Sequence, residues 1–415
     1  MPLNNPFLRQ KLFLAASLSV APCFISAQTV RDSAGIRIVM NTKPTWTAAQ
    51  QLRLSAAPSL VIGDRDEEPY QFTSVRNPLY LSDGRIVLCE KAANEIRIYD
   101  ASGKHLKTFG RKGDGPGEFR EIASMARLAG DTIAVLHANA TVSRFTSSGT
   151  FIGRTRETPG RADFGRSGKM KAVRLALNGG ARLLISMPFR PNGPTIGAEF
   201  DAKAFHEVID GIDVSSKRPG ELPFMQAVAG KDGADKPWLG AEAVYAANGS
   251  QFYFGYGTQY SLTRYSARGV PNLIVRRAWT APPITRKEFE EFTEEWLKRW
   301  SKAKGPELEK ERKEQLATEY FKTLPAFSAL VLDNVGRAWV RTPKPIDAAV
   351  AGSLNDYAIG PSTWSVFSTT GMWLGDVTMP ARFSPTDIGA DYVLGIARDE
   401  DLAPTVVRYT LSTKP

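Results

Sequence analysis

The stretch FGRKGDGPGEFREI, residues 109–122, concentrates four glycines, one proline and three carboxylates. Glycines spaced in this way let a backbone turn its N–H groups toward an anion, so the first chemistry to weigh is phosphate binding. A nucleotide loop of the G-x-x-x-x-G-K-[ST] type needs a Lys-Ser/Thr pair that opens a helix, and none follows Gly117. A dinucleotide fingerprint also requires a helix after the glycines, whereas Pro116 and the flanking runs put this loop between two strands. The carboxylates of Asp114, Glu118 and Glu121 would repel phosphate. They would attract calcium, yet the run lacks the D-x-D-x-D spacing of a calcium loop. The stretch reads as a structural joint.

The remaining chemistry-bearing residues are sparse. The histidines are His105, His137 and His206; the repeat pattern below puts His105 in an outer strand or its turn, leaving too few for a three-histidine zinc site unless carboxylates contribute. No G-x-S-x-G nucleophile elbow occurs. No catalytic residue, metal ligand or cofactor is therefore assigned. What stands out is a set of positions just past the second strand of successive repeats: Glu90, His137, Tyr256, Thr342 with Arg341 beside it, and Arg398. A ring of mixed polar and aromatic side chains suits a polar ligand or an extended peptide, and these residues are the candidate binding face.

The elements that would position them form an internal repeat. A Gly/Asp/Asn turn entering a β-branched or aromatic run recurs as LSDGRIVLCE (81–90), LAGDTIAVLH (128–137), LNGGARLLIS (177–186), AANGSQFYFG (246–255), LDNVGRAWVR (332–341) and DIGADYVLGI (387–396). A second hairpin follows in IRIYDASGKHLKTFG, VSRFTSSGTFIGRT, LTRYSARGVPNLIV and WSVFSTTGMWLGDV, where an aromatic (Tyr99, Phe145, Tyr265, Phe367) precedes a glycine by four residues (Gly103, Gly149, Gly269, Gly371). Repeats of this length with four strands each are blades, so the expected fold is an all-β, six-bladed β-propeller. SLVIGDRDEEPYQF (59–72) matches LKTFGRKGDGPGEF (106–119) but has no strands of its own blade before it, and the blade ending in TVVRYTLS (405–412) lacks a fourth strand. Residues near 59–63 are therefore expected to close the last blade, removing the free sheet edges of an open ring.

One segment breaks the β pattern. Residues 285–324 read as a helical hairpin inserted between blades four and five: Thr285 and Glu288 make a capping box, Phe289, Phe292, Trp296 and Trp300 share a stripe, and Gly305-Pro306 divides it from a second helix carrying Leu308, Leu316, Tyr320 and Leu324. At the other end, Arg9 and Lys11 precede an apolar run and a Ser26-Ala27 site, the order of a secretory signal peptide over residues 1–27, with the propeller over 28–415. A lipoprotein reading at Cys23 fits less well because Pro22 precedes the cysteine. Removing residues 1–27 leaves Cys89 alone, so an intrachain disulfide is excluded and Cys89 reads as a buried hydrophobe. The formal charge is +10, interleaved with carboxylates rather than blocked; with export this argues against a nucleic-acid partner. No other segment is long and apolar enough to span a bilayer. A monomer in the periplasm or outside the cell is expected.

NPLYLSDGRIVLCEKAANEIRIYDASGKHLKTFGRKGDGPGEF (77–119) resembles the NHL repeat, with its proline before the inner strand, DG turn, aromatic-Asp strand end and G-x-x-L-x-x-x-G outer strand. As a whole the chain looks like a secreted bacterial propeller of the NHL/TolB-like kind. The resemblance implies fold strongly and function weakly, since such propellers include binding proteins, scaffolds, lactonases and amidating lyases. The expected function is non-catalytic binding of a protein, peptide or glycan on the helix-bearing face. The alternative is a metal-dependent hydrolase or lyase in the central channel, with zinc or calcium held by Glu90 and His137 among others.

Overall fold

The computed structural model describes residues 28–137, 141–156, 173–176, 182–186, 198–209, 219–230, 233–235, 237–248, 251–351 and 357–413. The proposed leader, including Cys23, lies outside them. Two hairpin turns of the repeat, at 177–181 and 249–250, also fall outside the described residues, as does the side chain of His206.

The described strands make six sheets. The chain begins with β1 (Gln28–Ser33), β2 (Ile36–Asn41), β3 (Arg53–Leu54) and β4 (Leu60–Ile62). Two meanders follow, each of four antiparallel strands: β5 (Val75–Tyr80), β6 (Ile86–Glu90), β7 (Glu95–Tyr99) and β8 (His105–Phe109), then β9 (Ile122–Arg127), β10 (Ile133–His137), β11 (Thr141–Phe145) and β12 (Phe151–Arg156). The next sheet is less regular, with β13 (Val173–Ala176), β14 (Arg182–Ser186), the long pair β15 (Glu199–Ile209) and β16 (Pro219–Gly230), and β17 (Gly233–Asp235). The fourth holds β18 (Ala243–Asn248), β19 (Gln251–Tyr256), β20 (Ser261–Ser266) and β21 (Pro271–Arg277). After helices α1 (Arg286–Trp300) and α2 (Pro306–Ala317) come β22 (Ala329–Leu332), β23 (Ala338–Arg341), helix α3 (Pro345–Ala351), β24 (Ser362–Phe367) and β25 (Trp373–Met379). The last sheet has β26 (Phe383–Ile388), β27 (Tyr392–Arg398) and β28 (Pro404–Ser412).

The first strands of the six sheets touch in the order β5, β9, β13, β18, β22, β26 and back to β5, which is a ring. An all-β propeller follows from that arrangement. Its core lies between sheets rather than at the centre. Leu81, Val87, Ile98, Met125, Val135 and Phe145 pack the first two meanders together, and Trp339, Val366, Phe383, Val393 and Val407 pack the last two sheets. Gly149, whose φ is 76°, shows how tightly the hairpins abut: a Cβ there would lie 2.7 Å from the Phe109 ring of the preceding sheet.

The beginning of the chain straps three sheets. β4 pairs antiparallel with β28, Ile62 facing Val406 and Leu60 facing Arg408, which is the ring closure expected for residues 59–63. The β1–β2 hairpin does something the repeat did not indicate: β2 pairs in parallel with β21 and extends that sheet to six strands. Between the two attachments, Trp46 N–H donates to Leu374 O at 2.7 Å on β25. Asn41, fully buried, fixes the crossing by donating to Arg276 O and Gly371 O at 3.0 Å each and accepting from Trp373 N–H at 2.8 Å.

Two readings of the 285–324 segment change. Thr285 and Glu288 form the expected capping box, and Phe289 and Phe292 are fully buried, but Trp300 at the end of the stripe is half exposed. The second helix ends at Ala317 and buries no residue. Tyr320 instead forms a β-bridge with Trp238, and Thr323 one with Pro283. Extended backbone here satisfies polar groups that a helix continuing to 324 would leave against the ring.

Candidate ligand-binding site

Antiparallel meanders fix which loops share a face. The turns between second and third strands lie with the crossings between sheets, on the side that carries α1, α2 and α3; the other turns lie opposite. Glu90, His137, Tyr256, Arg341 and Arg398 each end the second strand of a sheet, so the structure brings them to the helix-bearing side in register.

Their side chains, however, are mostly turned into the protein. The Glu90 carboxylate is buried and accepts from the N–H groups of Thr73, Ser74 and Ala92 at 3.2, 2.8 and 3.2 Å, tying a crossing to a turn. The buried His137 ring shares a hydrogen bond of 2.8 Å between Nε2 and Ser143 Oγ and lies 5.4 Å from the Phe119 ring. Tyr256 donates to Asp201 at 2.6 Å, and burial pushes its phenol up. Arg341, buried, donates from Nε to Ser328 Oγ at 3.0 Å. Thr342 alone of the set is exposed, and its N–H donates to Thr363 O. Arg398 stacks over the Tyr357 ring at 4.5 Å. Polar side chains at these strand ends serve neighbouring backbone amides, as Glu90 does, or other side chains, as His137, Tyr256 and Arg341 do, a role that spacing alone could not separate from ligand binding.

The glycine-rich stretch is a joint. Its amides are taken within the loop: Gly113 N–H donates to Phe119 O, Gly115 N–H to Glu118 Oε2, and Phe119 N–H to Arg111 O. Arg154 on β12 reaches in and donates to the carbonyls of Asp114, Gly115 and Glu118 at 2.7–2.8 Å. The loop thus presents oxygens to an internal cation, the reverse of a phosphate cradle. Asp114 is paired with Arg120 at 2.5 Å, which holds its carboxyl below the usual range; the Gly115 amide and Arg111 do the same for Glu118.

Two further titrating groups are structural. Cys89 is fully buried, and loss of solvent pushes its thiol up to about 12, which makes it a poor nucleophile at neutral pH. On the face opposite the helices, buried Asp387 accepts from Tyr80 N–H at 2.8 Å, Asn334 Nδ2 at 3.1 Å and Tyr392 OH at 3.2 Å, while Arg127 of the second meander donates to Asn334 Oδ1 and to Tyr80 O. Burial raises the Asp387 pKa. The folded chain then holds this proton more tightly than the unfolded chain, so the group's contribution to stability falls as pH climbs from about 3.9, the ordinary carboxyl value, through the folded value. In urea titrations across that interval the wild type is expected to lose stability relative to Asp387→Asn as pH rises; parallel curves would refute the assignment.

The helix-bearing side also holds a cleft of about 320 Å³ that the repeat pattern gave no sign of. Glu295, Lys298 and Arg299 of α1 form one wall, and Tyr357, Ile359, Arg382, Glu400, Asp401 and Leu402 the others. These residues come from four separate connections, so no local spacing could have revealed them. Arg398 joins the sequence-derived set to this cleft, stacking on Tyr357 and donating its N–H to Arg382 O. Among the described residues, no group of three or more His, Cys, Asp or Glu side chains is arranged to hold a metal ion. No described helix is long and apolar enough to cross a membrane.

The ring of sheets defines the protein as a β-propeller. The chain is similar to a member of the DUF4221 family from Bacteroides vulgatus, with 13% identity over 87% of this chain and 99% of that one, at a TM-score of 0.47. It is similar to a gluconolactonase from Xanthomonas campestris (11% identity, 86% and 100% covered, TM-score 0.39) and to regucalcin, a calcium-binding protein, from Agrobacterium tumefaciens (12%, 84% and 93%, 0.35). No family model matches the chain, and no curated protein matches its sequence.

Proposed function

We propose that this chain is an exported, six-bladed propeller of the NHL/TolB-like kind that binds a protein, peptide or glycan on its helix-bearing face without catalysing its conversion. In this reading residues 1–27 are the leader, α1 and α2 are an insertion, and the irregular sheet is the third blade, supported by β13 lying between β9 and β18. The mature chain acts as a monomer, without nucleic acid, in the periplasm or outside the cell. The observation that carries the reading is the cleft of about 320 Å³ beside α1, within the size range of small-ligand sites and lined by charge and an aromatic ring.

The second reading, a metal-dependent hydrolase or lyase in the channel, relied on Glu90 and His137. Both oxygens of Glu90 accept backbone amides, and His137 is bonded to Ser143, which leaves them poorly disposed to bind zinc or calcium. Metal analysis of the purified mature protein separates the two, because a stoichiometric metal would favour the enzyme. The binding reading itself predicts an asymmetry between faces on peptide and glycan arrays. Arg299→Glu on α1 is expected to abolish recognition, while Lys104→Glu, exposed on the opposite face, leaves it intact. Equal effects from the two variants would overturn it.

A further inference from the structure

The cleft's charges are of both signs and are not spent on each other. Lys298 and Glu295 form a loose pair at 3.9 Å. Arg299, Arg382, Glu400 and Asp401 have no ion pair or side-chain hydrogen bond among the described residues. Opposite charges on a flexible surface relax toward one another or are screened by water and salt. Here two of the segments that carry them are held by hydrogen bonds to the backbone. Arg382 sits at the crossing from β25 to β26 with a φ of 54°, its N–H on Ala358 O at 2.9 Å and its carbonyl accepting Arg398 N–H at 3.0 Å. Glu400 and Asp401 ride a turn held by Asp399, whose carboxylate accepts Ala403 N–H at 2.8 Å, and Leu402 in that turn has a φ of 67°.

Positive φ at a residue with a side chain costs roughly 1–2 kcal/mol. Among the described residues seven non-glycines have this conformation, and two of them, Arg382 and Leu402, line this cleft. Strained backbone persists where surroundings hold it, and it gathers at ligand sites. Two arginines and two carboxylates are thus presented around one volume by two rigid turns and a helix.

An apolar occupant would strip water from these charges and return nothing to them, and a neutral polar one would return hydrogen bonds without an opposing charge. A purely anionic or cationic one would satisfy half the set and be repelled by the rest. Resting on the face assigned above, we infer that the cleft takes a zwitterion, specifically a short peptide with free ends. Its carboxylate lies toward Arg299 and Arg382, where a guanidinium can bind it in bidentate fashion, and its ammonium toward Glu400 and Asp401. The Tyr357 ring, backed by Arg398, forms an apolar floor for the chain between them.

Calorimetric titration of the purified mature protein with trialanine, its N-acetyl and C-amide derivatives, and maltotriose tests this. Trialanine is expected to bind, and each blocked end to weaken binding by roughly tenfold. Amidation should matter less in Arg382→Asn, whose new side chain tolerates positive φ, and acetylation should matter less in Asp401→Asn. Failure of trialanine to bind, or equal binding of the doubly blocked peptide, overturns the inference. Maltotriose binding that is lost in Arg299→Glu, with no peptide binding, overturns it while leaving the wider assignment of the face standing. If neither peptide nor sugar binds, the inference falls and the wider assignment of the face is decided by the comparison of Arg299→Glu with Lys104→Glu.

Discussion

Gly110→Ala is expected to destabilise the protein by about 3 kcal/mol, combining left-handed strain with overpacking. Gly110 closes the outer strand of the first meander with a φ of 90°, and a Cβ there would enter the fully buried Phe119 ring and sit 3.2 Å from Asn94 O. Phe119 cannot yield, because it packs against Phe145 at a ring separation of 5.7 Å and against His137. The effect should appear as a lowered urea midpoint with unchanged slope. Gly130→Ala supplies the control: φ is 65° but nothing lies within 4 Å, so only the strain portion is expected. Equal losses in the two variants would show that the packed ring contributes nothing.

Phe292→Ala is expected to have the larger functional consequence. The side chain is fully buried in a cluster with Phe289, Ile284, Leu324 and Ala348, and its ring lies 5.2 Å from Trp238. Truncation of such a phenylalanine costs roughly 3–5 kcal/mol. That cost falls on the attachment of α1 rather than on the ring, since the helix meets the propeller mainly through this cluster and α3. Tryptophan fluorescence from Trp238 and Trp296 should shift toward that of water well before the sheets unfold, and ligand recognition should be lost at temperatures where circular dichroism still reports native strand. A single shared transition for helix and sheets would contradict this separation.

The ring was legible because its punctuation is backbone chemistry. Gly103, Gly149, Gly269 and Gly371 all have φ between 69° and 88°, and their spacing from the preceding aromatic is a local property that a sequence displays. The closure by residues 60–62 was legible from the likeness of two segments. The β1–β2 hairpin left a weaker trace in SAGIRIVMN, a turn followed by a β-branched run, and nothing in it names β21 as the partner. The site divides in the same way. Strand register placed Glu90, His137, Tyr256, Arg341 and Arg398 at the ends of second strands, but which way a polar side chain is spent depends on the amides and side chains that fold next to it. The cleft residues were illegible because residues 295 and 401 meet only after the ring has formed.

The strap of β4 on β28 also orders events in time. The fourth strand of the last sheet is made among the first residues of the chain and its partner among the last, so Leu60–Ile62 waits unpaired while the intervening blades are synthesised and fold. A short apolar strand left open in that interval is a template for pairing with other chains. The residues that follow it, GDRDEE at 63–68, put five charges directly beside the open strand, where charge discourages such pairing until Val406 arrives.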